Sequence, residues 1–246
     1  MIPAGFSPKS STPVRPRIDE LGYDIVDPAL DEREVDGLLR AIEPLEAELV
    51  SSGHGGVRDV LRRVPGVRSL LNHPIVGEVV RTAIGARAFA VRGILFDKHP
   101  NANWKVPWHQ DLTIAVRAAN PVDGYGPWSS KAGVPHVQPP IQVLERMVAV
   151  RVHLDDCGFE NGPVRVLAGS HRAGRLSVSA IDTARATNPE VTCVVGRGGL
   201  LVMRPLLLHA SSSARVSGHR RVIHLEFASC DLVSGLEWSE QWRCAA

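Results

Sequence analysis

The sequence is poor in cysteine, and what it has is scattered. Only Cys157, Cys193, Cys230 and Cys244 occur in 246 residues, and no two form a C-x-x-C pair. Neither a zinc ribbon nor a disulfide framework fits that spacing, so reduced thiols in a cytoplasmic protein are the expectation. No apolar run reaches transmembrane length. The segment Met1–Arg17, rich in Pro and Ser, lacks the apolar core of a signal peptide and reads as a flexible arm. Net charge is only +2, and the basic residues are nearly all Arg and dispersed. No basic block interleaved with aromatics marks a nucleic-acid partner. There is no internal repeat and no second domain boundary, so residues 18–246 read as one domain. With 44% apolar residues, that domain can bury a sizeable core.

What is present begins with a short apolar segment, Leu21–Val26, expected as a strand. Asp27-Pro28 has the chemistry of a helix start, an acceptor side chain followed by proline. Val35, Leu38, Leu39, Ile42, Leu45 and Leu49 then recur at helical spacing and predict an amphipathic helix. A Gly/Ser break at Ser51–Gly56 precedes short helices expected at Val57–Arg63 and Pro74–Ile84. Strands are expected at Val91–Lys98 and Val106–Val116. The stretch Ala118–Gln142 is full of Pro and Gly and lacks periodicity; its Tyr125, Trp128, Val134 and His136 suit an ordered lid over a site. Short strands follow at Met147–Leu154, Val164–Leu167, Val191–Val195, Leu200–Arg204 and Arg220–Ala228. Many short strands behind a helical N-terminal part predict a β-sandwich or open barrel buttressed by helices.

Chemistry concentrates at Pro107-Trp108-His109-Gln110-Asp111-Leu112. A His and an Asp two residues apart share one face of an extended strand, from which both can bind one metal ion. His209, after the apolar strand and Pro205, is the best candidate for a third ligand. Two His and one carboxylate with open positions is the arrangement of non-haem Fe(II) oxygenases, whereas ordinary polar residues on strands would explain the same spacing. The last strand divides into a face of Arg220, Val222, His224 and Glu226 and a packed face of Arg221, Ile223, Leu225 and Phe227. Arg220 either clamps a ligand carboxylate through its planar fork or pairs with Glu226. Met147–Leu154 repeats the division, with Arg151 and His153 opposite Val148, Val150, Val152 and Leu154.

Several ordered motifs together resemble the phytanoyl-CoA dioxygenase family. They are Lys98 ending a strand, Pro107–Leu112, Leu154-Asp155-Asp156 leading into Glu160-Asn161-Gly162-Pro163, the run Ala168-Gly169-Ser170-His171-Arg172-Ala173-Gly174, and His209-x-Ser211 with Arg220 eleven residues beyond. They span roughly residues 20 to 230. The resemblance implies a mainly β fold with flanking helices around a double-stranded β-helix (jelly-roll, cupin-like) core. It implies Fe(II), 2-oxoglutarate and O2 as cofactor and cosubstrates, with His109, Asp111 and His209 as iron ligands. Arg220 matches the residue that holds the distal carboxylate of 2-oxoglutarate, with Ser211 and Lys98 beside it. Arg151 stands where many members have Trp, which puts it within reach of the cosubstrate or a substrate anion. Asp155, Asp156, Asn161 and His171 fit the pattern as turn and scaffold residues.

The resemblance further implies oxidation of a C–H bond, most simply hydroxylation, with release of succinate and CO2. A carboxylate at Asp111 fits that outcome, since halogenases of this kind have a small residue there. The alternative is a non-catalytic metal- or 2-oxoglutarate-binding protein on the same fold, which could dispense with Arg220. Trp104, Trp128, Tyr125, His136 and Gln142 are the candidate pocket residues. The expected partner is a free small molecule, with a secondary metabolite as one such class, rather than a CoA ester, because no Lys/Arg cluster presents itself for the phosphates. No membrane or nucleic-acid partner is expected, and nothing sets the oligomeric state.

Overall fold

A computed structural model describes residues 14–45, 48–49, 56–233 and 235–244. Helix α1 (Val14–Leu21) begins inside the segment expected to be an arm. The rest of that arm, and all but the last residue of the expected Gly/Ser break at 51–56, lie outside the described residues. The next helix, α2 (Glu32–Ile42), starts later than Asp27-Pro28 because a complete capping box sits at Asp31. The Glu34 amide donates to Asp31, and the Asp31 amide donates to the Glu34 carboxylate, both at 2.8 Å. Asp27 is engaged elsewhere, accepting the Gly196 amide at 2.6 Å. Val35, Leu38 and Ile42 are buried as their spacing requires. Helix α3 (Pro74–Ile84) opens with proline, buries Val76, Val79, Val80 and Ala83, and stops at Gly85, whose φ of 93° suits glycine. A fourth helix, α4 (Val178–Thr187), carries no buried residue.

Fourteen strands are present among the described residues. In chain order they are β1 (Tyr23–Val26), β2 (Gly56–Arg58), β3 (Phe89–Lys98), β4 (Val106–His109), β5 (Ile114–Ala115), β6 (Trp128–Lys131) and β7 (Val134–Val137). There follow β8 (Met147–His153), β9 (Val164–Leu167), β10 (Glu190–Cys193), β11 (Leu200–Met203), β12 (His209–Ser211), β13 (Arg220–Ala228) and β14 (Trp242–Arg243). The large sheet runs β1-β11-β8-β13-β3-β14, with β2 also paired to β3; a second runs β10-β9-β12-β4. All pairings within them are antiparallel and neither sheet closes, which is the mainly β, double-stranded β-helix class expected.

Alternation on the large sheet decides which residues meet the cavity between the sheets. On β3, Gly93 and Leu95 face the helices, while Arg92, Ile94 and Phe96 face inward. Gly93 has a packing reason: a Cβ there would meet Leu61 Cγ at 2.8 Å. On β8 and β13, Val148, Val150, Val152, Ile223, Leu225 and Phe227 pack on the helical layer together with α2 and α3. Phe227 is fully buried, a position where truncation to Ala costs about 3–5 kcal/mol. Arg221 lies on that outer side and is held by Asp155 at 2.7 and 3.0 Å, so it is not the inward arginine.

Two expectations fail here. Val106–Val116 is not one strand: β4 ends at His109, and β5 belongs to a third sheet with order β5-β7-β6. The supposed loop 118–142 contains the hairpin β6–β7 and a helical turn at Ile141–Leu144. Proline and glycine hid this hairpin, because its strands are only four residues each and Ala132-Gly133 turns between them with positive φ. Tyr125, Val137 and Leu144 are buried in a core with Phe89, Ile114 and Trp238, and Trp128 packs against it. Among the described residues no helix is long and apolar enough to cross a membrane.

Candidate active site

His109 and His209 reach one another through strand pairing. In the antiparallel β4–β12 pair they are direct partners, and their ring centroids lie 4.1 Å apart. Each Nδ1 is 2.9 Å from the carbonyl oxygen two residues back, Pro107 for His109 and Leu207 for His209. A carbonyl can only accept, so each Nδ1 carries the proton and donates it, leaving the Nε2 lone pair free. Asp111 arrives differently from the expected shared strand face. The chain leaves β4 after His109, and the Asp111 amide donates to Pro205 O at 2.9 Å, beside the approach to β12. Gln110, buried between the two candidate ligands, ties this corner down. Its amide nitrogen donates to Gly174 O and Leu206 O at 2.7 Å, and its oxygen accepts the Leu176 amide at 2.8 Å.

The result is a converging donor set. Asp111 Oδ1 stands 3.8 Å from His109 Nε2, and Oδ2 stands 3.7 Å from His209 Nε2. Those gaps are too long for hydrogen bonds and short enough for both atoms of each pair to reach one ion at a metal–ligand bond of roughly 2.0–2.2 Å. The three ligand atoms all lie within 4.8 Å of one another. Burial drives the His209 imidazolium down to about 4, so the ring is a neutral donor at neutral pH. Burial alone would raise the Asp111 carboxyl, but His209, His224, His109 and Arg92 outweigh it and hold the group at about 2. Two imidazoles and one carboxylate fit a divalent ion with positions left for other ligands.

A second cluster is cationic. Arg220 opens β13 opposite Lys98 at the end of β3; they are 2% and 1% exposed. Arg220 donates through Nη1 to Gly162 O, in the Asn161-Gly162-Pro163 turn. Lys98 Nζ donates to Ser211 Oγ at 3.1 Å and Ser212 O at 2.5 Å, and lies 5.5 Å from the Trp104 ring centroid. Burial, with Arg220 and Arg151 nearby, lowers Lys98 to about 7. Burial and Arg220 likewise lower Arg151 to about 10. Arg151 Nη1 is 3.2 Å from His224 Nδ1, and its guanidinium lies over Phe96. The Nε atoms of Arg220 and Arg151 are buried without a partner. Glu226 does not neutralise this group: it pairs with Arg92 and with His224 Nε2.

The structure thus brings His109, Asp111, His209, Ser211, Arg151, Arg220 and Trp104 to one cavity, with Lys98 at its edge. It does not bring Trp128, Tyr125 or Gln142 there: the first two belong to the neighbouring core, and Gln142 is exposed on its helical turn. His136 sits one layer away, its Nε2 3.0 Å from Arg92 Nη1. Arg58, Arg92, Phe96 and Lys131 line the cavity without having been singled out. Alternation back from Lys98 on β3 would have flagged Arg92 and Phe96; Arg58 and Lys131 leave no comparable trace.

An open antiparallel β-helix core with a His/Asp/His set facing buried cations defines a non-haem iron oxygenase architecture. The family model described as Phytanoyl-CoA dioxygenase (PhyH) matches residues 18–222, and the chain belongs to that family. Its members are Fe(II)- and 2-oxoglutarate-dependent oxygenases that use O2, and the chain is an enzyme of this class. No curated protein matches the chain. Among solved structures, the non-haem α-ketoglutarate-dependent carbocyclase SnoK from nogalamycin biosynthesis superposes with a TM-score of 0.68 at 17% identity, covering 89% of this chain and 83% of that one. AviO1 from Streptomyces viridochromogenes Tue57 gives 0.64 at 22%, covering 87% and 93%. EctD from S. alaskensis, solved with 2-oxoglutarate and 5-hydroxyectoine, gives 0.68 at 17%, covering 87% and 74%. At these identities the structural likeness speaks for the fold.

Proposed function

We propose that the enzyme hydroxylates an unactivated C–H bond of a free small molecule, of the secondary-metabolite kind. In this reading His109, Asp111 and His209 hold Fe(II), and Arg220, assisted by Lys98, Ser211 and Arg151, receives the distal carboxylate of 2-oxoglutarate. The overall change consumes substrate, O2 and 2-oxoglutarate and yields alcohol, succinate and CO2. The observation that carries it is the pairing of two complementary sites in one cavity. A two-imidazole, one-carboxylate donor set opens toward buried Arg220 and Lys98 and half-buried Arg151, which have no carboxylate among them. A diacid that chelates a metal at one end and needs a counter-charge at the other fits both.

Fe(II), when bound, supplies activation of O2 coupled to decarboxylation of the cosubstrate. The chain's own residues bind and orient. Pro107 and Leu207 carbonyls hold the imidazole tautomers, and Gln110 fixes the corner between two ligands. Gly162 O and the β3–β13 pairing aim Arg220. Ile94, Phe96, Val106 and Val164 give the cavity apolar walls that exclude water from the oxidant. The hairpin within 118–142 contributes Lys131 to the wall, and we assign it the closing of the cavity over bound ligand. SnoK and SnoN, both from nogalamycin biosynthesis by their descriptions, support a metabolite substrate on this fold. The free thiols Cys157 and Cys193, both buried, support a reducing, cytoplasmic setting.

The test is turnover of Fe(II)-loaded enzyme with 2-oxoglutarate under isotopically labelled O2. Labelled oxygen in succinate, with a metabolite screen raising the rate and adding one labelled oxygen to a substrate, is the expected outcome. Succinate that never carries the label overturns the reading.

A further inference from the structure

Two cations at the cavity form no ion pair and hold neither the metal nor 2-oxoglutarate in the function proposed above. Arg58 ends β2, Lys131 ends β6, and both are half-buried in the wall. Lys131 Nζ donates to Thr113 Oγ1 at 3.0 Å, and no carboxylate among the described residues pairs with it or with Arg58. Glu226, the nearby carboxylate, is already committed: Arg92 Nη2 holds it, while Arg92 Nη1 meets His136. Burial and the neighbouring Arg92 and Arg58 push the Lys131 ammonium below its ordinary value. Keeping two like charges together, partly out of water, costs stability unless something anionic joins them.

Register separates this pair from the cosubstrate end. On the antiparallel β3–β13 ribbon, Arg220 faces Lys98 and Glu226 faces Arg92, six residues farther along. Arg58 is registered with Ile94, four residues from Lys98, which at roughly 3.3 Å per residue is about 13 Å of strand. Lys131 adjoins Arg58 in a side cleft whose lining also includes His136, Asp59 and Glu240, the last of these held by Arg62. A five-carbon diacid held between the metal ligands and Arg220 points away from Arg58 and Lys131.

Charge makes the same point. Arg58, Arg92, Lys131, Arg151 and Arg220 line the cavity against Asp111 and Glu226. A divalent metal and dianionic 2-oxoglutarate cancel one another, so the lining stays net positive with both bound, even with Asp59 and Glu240 of the side cleft counted. We propose that the substrate carries an acidic oxyanion group, a carboxylate or a phosphate ester, held by Arg58 and Lys131 at the end of the cavity away from Arg220. Its hydrophobic part then lies along Phe96 and Trp104, and the planar Arg58 fork suits two oxygens of the anion. The inference rests on the proposed function for its separation of substrate from cosubstrate.

The experiment titrates inorganic phosphate and, separately, acetate into oxygen-free protein loaded with Mn(II) and saturating 2-oxoglutarate, read by calorimetry. At least one anion is expected to saturate a single site, and Arg58→Gln/Lys131→Gln is expected to weaken it at least tenfold. The 2-oxoglutarate dissociation constant should change less than threefold in that variant. The tighter of the two probes tells a phosphate ester from a carboxylate. Neither anion binding, or equal binding by both proteins, overturns the proposal, and so does a 2-oxoglutarate affinity that falls in step. If the double variant does not fold, Lys131→Gln alone carries the same comparison. Wild-type protein that takes up neither Mn(II) nor 2-oxoglutarate contradicts the proposed function instead, and the same titrations on metal-free protein still decide this inference.

Discussion

His109 and His209, one hundred residues apart in the chain, are direct partners across the β4–β12 pair, with rings 4.1 Å apart. Their convergence is a property of sheet register, since a slip of one residue would turn one imidazole to the opposite face. Each ring is aimed by a carbonyl of its own strand segment, so register and tautomer are set together.

Gln110 is the tie between this pair and Asp111. Replacing it by Ala strands the Leu176 amide and the Gly174 and Leu206 carbonyls. A cost of about 2–3 kcal/mol is expected, a fall in Tm of roughly 4–10 °C for a chain of this size. Metal affinity should also drop about 10–100-fold, as for loss of a group that orients ligands. Thermal melts and a metal titration check both.

Arg220→Gln removes the inward fork while leaving the three proposed metal ligands untouched. The 2-oxoglutarate dissociation constant is expected to rise at least about 30-fold, the equivalent of roughly 2 kcal/mol for a buried charged pair. Metal affinity should stay unchanged. Arg221→Gln, on the outer face with Asp155, should instead lower Tm with little effect on cosubstrate binding.

How much of this was legible follows from period two. Alternation alone separates Arg220, His224 and Glu226 from Ile223, Leu225 and Phe227, and the structure has both faces as read. The metal-ligand candidates were found by an argument only half right. His109 is on a strand, but Asp111 is past its end and owes its position to the Pro205 carbonyl, a contact no spacing encodes. Aromatics misled: Tyr125 and Trp128 sit in a Pro/Gly-rich stretch that resembles a loop, yet its short hairpin packs them into a core. The cations lining the cavity left no cluster in the sequence. Arg58, Arg92 and Lys131 come from three strands and form a cluster only after β2 and β3 pair and the hairpin folds over.

Lys98 gives the site a pH dependence near neutrality. Burial first, then Arg220 and Arg151, bring its ammonium to about 7. Below that value it is charged and adds a third cation to the cosubstrate end; above it the neutral amine adds none. Affinity for 2-oxoglutarate at saturating metal is therefore expected to fall as pH rises through about 7. In Lys98→Met the affinity should be weaker at pH 6.5 and nearly flat across that range. A wild-type profile as flat as that of the variant would remove Lys98 from cosubstrate binding.

The central claim is that His109, Asp111 and His209 form an Fe(II) site that also takes 2-oxoglutarate. Anaerobic addition of both to the purified protein tests it most directly, by the weak visible charge-transfer band of a metal-chelated 2-oxo acid. The band is expected only with both present, and absent in His109→Ala and Asp111→Ala, whose metal affinity should fall more than about 100-fold, beyond the effect of losing an orienting group. No band in well-folded, iron-loaded wild-type protein, or an undiminished band in folded His109→Ala, would contradict the account.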